Sequence, residues 1–229
     1  MDKNQLSEGI VYLVGAGPGD PGLLTLRARS LIEGCDVLVY DHLANRKLHD
    51  WASVECERID VGKSPGRHTM EQSEIGEILV AKAQDGLKVV RLKGGDPFIF
   101  GRGAEEIDYA RQFDIKTYMV PGISSSFAVP AYQGIPLTKR EASESFWVLT
   151  GTTKMHDLSK DIVLAAQSTA TVVILMGMGK LNEIVEIYAS LGKNEVSVAV
   201  IQNGTTEEEK VSSIYTYYFV FFLEHIISL

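Results

Sequence analysis

The stretch Leu92–Gly103, LKGGDPFIFGRG, holds the residues of this chain best suited to gripping a ligand. Gly94 and Gly95 let the main chain come close to a bound group and take positive φ. Pro97 keeps Asp96 out of the helical region, so its carboxylate and the neighbouring amides are presented at a turn. Ile99 and Phe100 add an apolar wall. Arg102, set between Gly101 and Gly103, is a cation without bulky neighbours, as a carboxylate clamp requires. Gly-Asp-Pro alone is an ordinary strand-to-helix turn; the whole dodecamer is a far more specific pattern.

Other segments carry chemistry at similar turns. Asp41 directly follows the apolar run Val37–Tyr40, where a carboxylate at a strand end can act as a base or cap a helix. Lys63, Arg67, His68, Arg102, Lys139 and Arg140 could together face a polyanion, although each alone reads as a solvated surface group. Ser124 and Ser125 follow Pro121-Gly122 and place hydroxyls and amides at a helix start. Met176-Gly177 ends an apolar run, where a Met is either core or a ligand contact. Gly204 lies in Gln202-Asn203-Gly204-Thr205.

Three chemistries are disfavoured. Gly15-Ala16-Gly17-Pro18-Gly19-Asp20 fails the dinucleotide fingerprint, because Asp20 stands where its last glycine is required and brings the wrong charge to a pyrophosphate. The histidines and cysteines form no zinc spacing, and HExxH is absent. Ser124–Ser126 lacks the GxSxG elbow of a serine hydrolase.

These residues must be positioned by an α/β framework. Short apolar runs at Ile10–Val14, Val37–Tyr40, Lys88–Leu92 and Thr117–Val120 read as buried parallel strands. Leu23–Glu33, Glu71–Gln84 and Ala104–Gln112 have helical spacing between them. A second series follows, with strands Phe146–Thr150, Thr171–Met176 and Ser197–Gln202 and helices Asp157–Ala166 and Leu181–Leu191. The expected architecture is two α/β lobes with mainly parallel sheets, 1–120 and 121–229, with the active site in the cleft between them.

The balance of 22 Lys+Arg against 30 Asp+Glu, a net charge of −8, argues against a nucleic-acid partner. It also means that an anionic substrate must be met by local cations. Cys35 and Cys56 lack CxxC spacing and read as two isolated thiols of a reduced, cytoplasmic protein. The polar N-terminus carries no export signal, and the apolar run Tyr215–Leu223 is too short to span a bilayer. That run is too apolar to stay in water. It is expected to be buried, as an added strand of the second lobe or in an interface between copies.

Together these blocks resemble the tetrapyrrole methylases. Val11–Ala28, Tyr40–Leu43, Val61–His68, Leu92–Gly103, Val120–Arg140, Leu149–Gly151, Leu175–Gly179 and Ile201–Thr205 follow one another in the family's order, over most of the chain. The resemblance implies C-methylation of uroporphyrinogen III, twice, giving precorrin-2 for sirohaem or cobalamin-type tetrapyrroles. S-adenosyl-L-methionine would be the donor and S-adenosyl-L-homocysteine the product. It further implies a homodimer in the cytoplasm, with no membrane partner and no metal.

By that resemblance Pro18, Gly94, Gly95, Asp96, Ile99, Ser124, Ser125, Met176 and Gly204 contact the donor. Asp41 is the proton acceptor, Lys63 the proton donor and Arg102 a substrate-carboxylate group. The chain departs from the family at Lys139 and Thr152, where histidines are expected, and in its tail. The alternatives are a methylase of a later precorrin, a related methylase acting on diphthamide or ribosomal RNA, and a donor-binding protein without turnover.

Overall fold

The computed structural model of the chain describes residues 9–62, 70–214 and 219–224, with side chains described as far as Ser212. Two compact units meet in sequence at Ser124 and Ser125, just past the expected Val120–Pro121 boundary.

The first unit is built on five parallel strands: β1 (Ile10–Gly15), β2 (Val37–Tyr40), β3 (Glu57–Asp60), β4 (Lys88–Lys93) and β5 (Lys116–Val120). Their order is β3-β2-β4-β1-β5. Both faces of such a sheet are covered, so the central strands read as unbroken apolar runs. Helix α1 (Leu26–Glu33) starts at Thr25, whose side chain accepts from the Ala28 N–H, and buries Ala28, Leu31 and Ile32. They pack with Val14, Leu38, Val90 and Leu92 on one face. Helix α2 (Gln72–Gln84) begins with a capping box between Glu71 and Glu74. It lays Ile75, Leu79 and Ala83 on the other face, against Val11, Val37, Val39 and Val89. Helix α3 (Gly103–Arg111) joins α2 there; a Cβ on Gly76 would meet the Tyr109 ring at 2.5 Å.

The second unit has strands β6 (Phe146–Thr150), β7 (Thr171–Leu175), β8 (Ser197–Gln202), β9 (Lys210–Ile214) and β10 (Phe219–Glu224), in the order β6-β7-β10-β8-β9. All pairings are parallel except that of β8 with β9. Helices α5 (Asp161–Gln167) and α6 (Leu181–Ser190) contribute Ile162, Ala165, Ala166, Ile184 and Tyr188 to one core, against Val172 and Ile174. Val129, from helix α4 (Ser125–Tyr132), packs with Val173, Leu175, Ala199 and Ile201.

Four elements differ from the sequence expectation. Strand β3 is an edge strand, and its mixed ERID sequence carries no apolar run. Strand β9, also at an edge, reads KVSSI and carries no strand signal, and α5 starts at Asp161 rather than Asp157. Helix α4 does start at Ser125, where the sequence places a helix start, although Pro130 within it removes one helical donor. Helix α1 starts later than Leu23, because Pro21–Leu23 form a separate 3-10 turn capped by Asp20. The apolar tail enters the second unit as β10, between β7 and β8; Tyr215–Tyr218 lie outside the described residues.

Candidate active site

In the first unit, chemically capable residues gather at the carboxyl ends of β1, β2, β4 and β5. Adjacent strands β1 and β4 lead to α1 and α3 on opposite faces of the sheet. That divergence is a topological switch point, and open α/β sheets bind ligands at the strand ends there.

The loops here pack main chain on main chain. Gly17 and Gly95 exchange two hydrogen bonds, Gly95 N–H to Gly17 O at 2.7 Å and Gly17 N–H to Gly95 O at 3.2 Å. Gly95 has φ +62 and Gly17 φ +79, conformations that exact a strain from other residues. A Cβ on Gly122 would lie 2.1 Å from Gly95 O, and one on Gly15 would lie 2.4 Å from Gly122 N. No side chain fits at this crossing of three loops.

Asp96 ties the crossing together. Its Oδ1 accepts from Phe98 N–H at 2.8 Å and its Oδ2 from Gly122 N–H at 3.1 Å. Each oxygen keeps a further lone pair for a ligand cation. Pro18 is buried, and Gly94 backs onto Leu43, whose Cβ would lie 2.6 Å from an added Cβ. Beyond Asp96, Phe98, Ile99 and Phe100 are all exposed apolar groups. Phe100 (φ 54) and Arg102 (φ 57) are held in the left-handed region, strain that bulky residues bear only where the surroundings enforce it.

Arg102 does not stand alone. Its Nη2 and Nε donate to Glu105 Oε2 at 2.7 Å and Oε1 at 3.1 Å. The pair is about half exposed, so it contributes only about 0–1 kcal/mol and a substrate carboxylate can compete for the fork.

Asp41 sits at the end of β2. Its Oδ1 accepts from Leu43 N–H at 3.0 Å, an Asx turn. The next helical turn, Arg46–Trp51, is capped instead by Asn45, so Asp41 is not a helix cap. Asp41 Oδ2 accepts from Arg91 Nη2 at 2.9 Å. Arg91 and Lys93 follow Val89 at alternate positions and so lie on the α2–α3 face of β4. Lys93 Nζ donates to Glu106 Oε1 at 2.7 Å, as does Gln72 Nε2 at 2.7 Å. Arg91 Nε lies 3.4 Å from Glu106 Oε2. Burial, with Arg91 close by, pushes the Lys93 ammonium below its ordinary pKa, and Glu106 opposes that shift.

The sequence reading missed Arg91, Lys93, Glu106 and Gln72. One signal was available, two cations at alternate positions inside an otherwise apolar parallel strand, VVRLKGG. Lys63, Arg67 and His68 lie outside the described residues.

In the second unit, Met176 ends β7 with φ 55 and is 45% exposed, so it is not a core methionine. Its carbonyl accepts from Thr152 Oγ1 at 2.9 Å, and a Cβ on Gly151 would lie 2.4 Å from Gly177 Cα. The hydroxyl that stands where the family carries an imidazole is therefore committed to the main chain. Gly204 packs on α4, with 2.4 Å between an added Cβ and Val129 Cγ1. Ser125 opens α4, and Ser124 is fully buried.

Cys35 and Cys56 are not isolated. Their sulfurs lie 3.6 Å apart in the α1 core, and burial with the neighbouring Cys56 pushes the Cys35 thiol up to about 12. His49 is half-buried, its ring tilted against Tyr40 with 3.7 Å between centroids, and burial lowers its pKa. Among the described residues no group of three or more His, Cys, Asp or Glu is arranged to hold a metal. No described helix is long and apolar enough to cross a membrane.

Comparison with known proteins gives a consistent picture. Residues 10–214 match the family Tetrapyrrole (Corrin/Porphyrin) Methylases. An S-adenosyl-L-methionine-dependent uroporphyrinogen III methyltransferase of Methanosarcina barkeri is 47% identical over 208 residues, 89% of this chain and 81% of that protein. A uroporphyrinogen-III C-methyltransferase of Bacillus subtilis is 48% identical over 207 residues; the match covers 87% of this chain and 42% of that longer protein. Among solved structures, uroporphyrin-III C-methyl transferase from Thermus thermophilus, complexed with S-adenyl homocysteine, superposes with a TM-score of 0.76 at 35% identity. That match covers 90% of this chain and 88% of the other.

Proposed function

This chain belongs to the tetrapyrrole (corrin/porphyrin) methylases, and from that premise we propose that it methylates uroporphyrinogen III twice, giving precorrin-2. The carrying observation is the 47% identity to the Methanosarcina barkeri methyltransferase, over most of both chains. When bound, S-adenosyl-L-methionine supplies an electrophilic methyl on its sulfonium and leaves as S-adenosyl-L-homocysteine.

The first unit suits a donor of that kind. Gly94, Gly95 and the crossing glycines leave main chain without side chains beside Pro18, and Asp96 offers spare lone pairs to an ammonium. Ile99 supplies exposed apolar surface, and Ser124 completes the assignment in this unit. In the second unit the assigned donor contacts are Ser125, Met176 and Gly204. No strong protein base is needed for attack, because the electron-rich pyrrole carbon is itself the nucleophile. What the protein must provide is alignment, which can be worth several of the ~7–11 kcal/mol that positioning offers.

After methylation a proton must leave the ring. We assign its removal to Asp41, a carboxylate paired with Arg91 at the end of β2. Lys63 is assigned as proton donor, and Arg102 exchanges Glu105 for a substrate carboxylate. The protein works as a homodimer in the cytoplasm.

The test is incubation with uroporphyrinogen III and S-adenosyl-L-methionine, followed by mass analysis. Two added methyl groups are expected. Donor binding without product would instead favour a protein that has lost turnover, in keeping with Lys139 and Thr152 in place of histidines.

A further inference from the structure

The buried core on the α2–α3 face of the first sheet is apolar, and buried charged groups flank it at one corner. There, Arg91, Lys93 and Glu106 are buried, with side-chain exposures of 3%, 8% and 1%, while Asp41 at the rim reaches 20%. Two cations and two carboxylates make the cluster neutral as a whole. Burying such groups is expensive, and well-packed apolar residues in their place are often as stable or more so. The geometry is also incompletely satisfied, since Arg91 Nε and Glu106 Oε2 form no hydrogen bond at their 3.4 Å separation. Stability does not account for this cluster. Exposure rises toward Asp41, so Asp41 is the member that can meet a substrate.

We propose that Arg91 and Glu106 form a buried positioning brace that holds the Asp41 carboxylate fixed in orientation beside a cation, with Lys93 as the counter-charge of Glu106. Arg91 is anchored at both ends of its fork, Nη1 on Leu92 O at 2.9 Å and Nη2 on Asp41 at 2.9 Å. Glu106 is fixed by Lys93 and Gln72, and its remaining oxygen faces Arg91. It also lies in the first turn of α3, where the helix dipole favours a carboxylate. Among the described residues, other charged groups on neighbouring elements include His42, beside Asp41 in sequence, and Asp60 at the end of β3. Those two lie 4.0 Å apart, and Asp60 also accepts from Gly62 N–H. The proposal rests on Asp41 as the proton acceptor for its purpose, but not for its geometry.

The experiment titrates Asp41 in the full chain by carboxyl ¹³C NMR and records the acid limb of kcat/KM against pH. Arg91→Gln removes the adjacent cation and should move both upward, the direction in which loss of a neighbouring cation displaces a carboxylate. Glu106→Gln removes the opposing carboxylate and should move both downward by less. Opposite displacements are the signature; a merely structural role predicts loss of heat stability with neither titration moved. Should Arg91→Gln fold poorly, the double variant Arg91→Gln/Glu106→Gln keeps the corner neutral and should still raise the Asp41 titration above that of Glu106→Gln alone. An Asp41 titration that is the same in every folded variant overturns the brace. Displaced NMR titrations with an unmoved kcat/KM limb support the brace and overturn Asp41 as the base.

Discussion

Asp96 Oδ2 accepts from the main-chain N–H of Gly122, 26 residues further along, and so fastens the turn after β4 to the turn after β5. The residue assigned to the methyl donor is thus also a structural clasp. Asp96→Ala should weaken donor binding by roughly 1.5–3 kcal/mol, the worth of a hydrogen bond to a charged group. It should also lower the melting temperature, by roughly 2–4 °C for each kcal/mol lost in a chain of this size. Calorimetric titration and a thermal melt of the same variant separate the two roles; unchanged affinity with a lowered melt leaves only the clasp.

Arg102 offers a cleaner separation of stability from turnover. Its ion pair with Glu105 is exposed, while its left-handed φ costs about 1–2 kcal/mol in any residue but glycine. Arg102→Gly should therefore keep or raise the melting temperature while turnover of uroporphyrinogen III falls. Arg102→Lys should recover only part of the rate, because the planar fork is lost. Full activity in Arg102→Gly would return this residue to the surface.

Tyr188 sets the alkaline limit of the second unit. Its hydroxyl is buried without a partner among the described residues, and desolvation pushes its pKa from 10.0 to about 12. With the folded pKa above the unfolded one, this group's stabilisation is complete below pH 10 and is lost as pH rises through 12, a fall of roughly 3 kcal/mol. Tyr188→Phe should leave stability at pH 7 equal or higher and flatten the decline above pH 10. Denaturant melts from pH 8 to pH 12 measure both, and a parallel decline in the variant would clear Tyr188 of the effect.

A chain ending at Glu209 should fail to form the second unit. It lacks β9 and β10, and β10 pairs with β7 on one side and β8 on the other. The main-chain groups those strands present would be left without partners in the middle of the sheet. Solubility and differential scanning calorimetry decide the matter. A soluble truncated protein with two normal unfolding transitions would mean that the tail is an appendage.

How much was legible in the sequence follows from burial. Strands β2 and β8 were readable to the residue, because strands inside a sheet are built largely from apolar residues; β6 lies at an edge and was readable because its FWVLT sequence is apolar all the same. The edge strand β3 needs none, and of α4 only the start at Ser124-Ser125 was readable, because Pro130 interrupts the helical pattern. The glycine crossing was readable through Gly94 and Gly95, since only glycine meets its demands. Arg91 and Glu106 were not, because a charged residue in sequence reads as solvated and nothing local reports that a partner lies 15 or 50 positions away. The Cys35–Cys56 approach was hidden for the same reason. Arg102 was readable as a cation, but its engagement with Glu105 depends on a left-handed turn that the sequence does not announce.

The place of β10 also dictates an order of events during synthesis. The first unit contains every strand of its own sheet by Val120 and can fold while the ribosome is still translating. The second cannot: β7 and β8 flank a slot that residues 219–224 fill, so two unpaired strand edges wait until those residues have emerged. During that interval the nascent protein carries its greatest exposure to misassembly, and a holdase chaperone acting late, on the second half, would benefit its yield most.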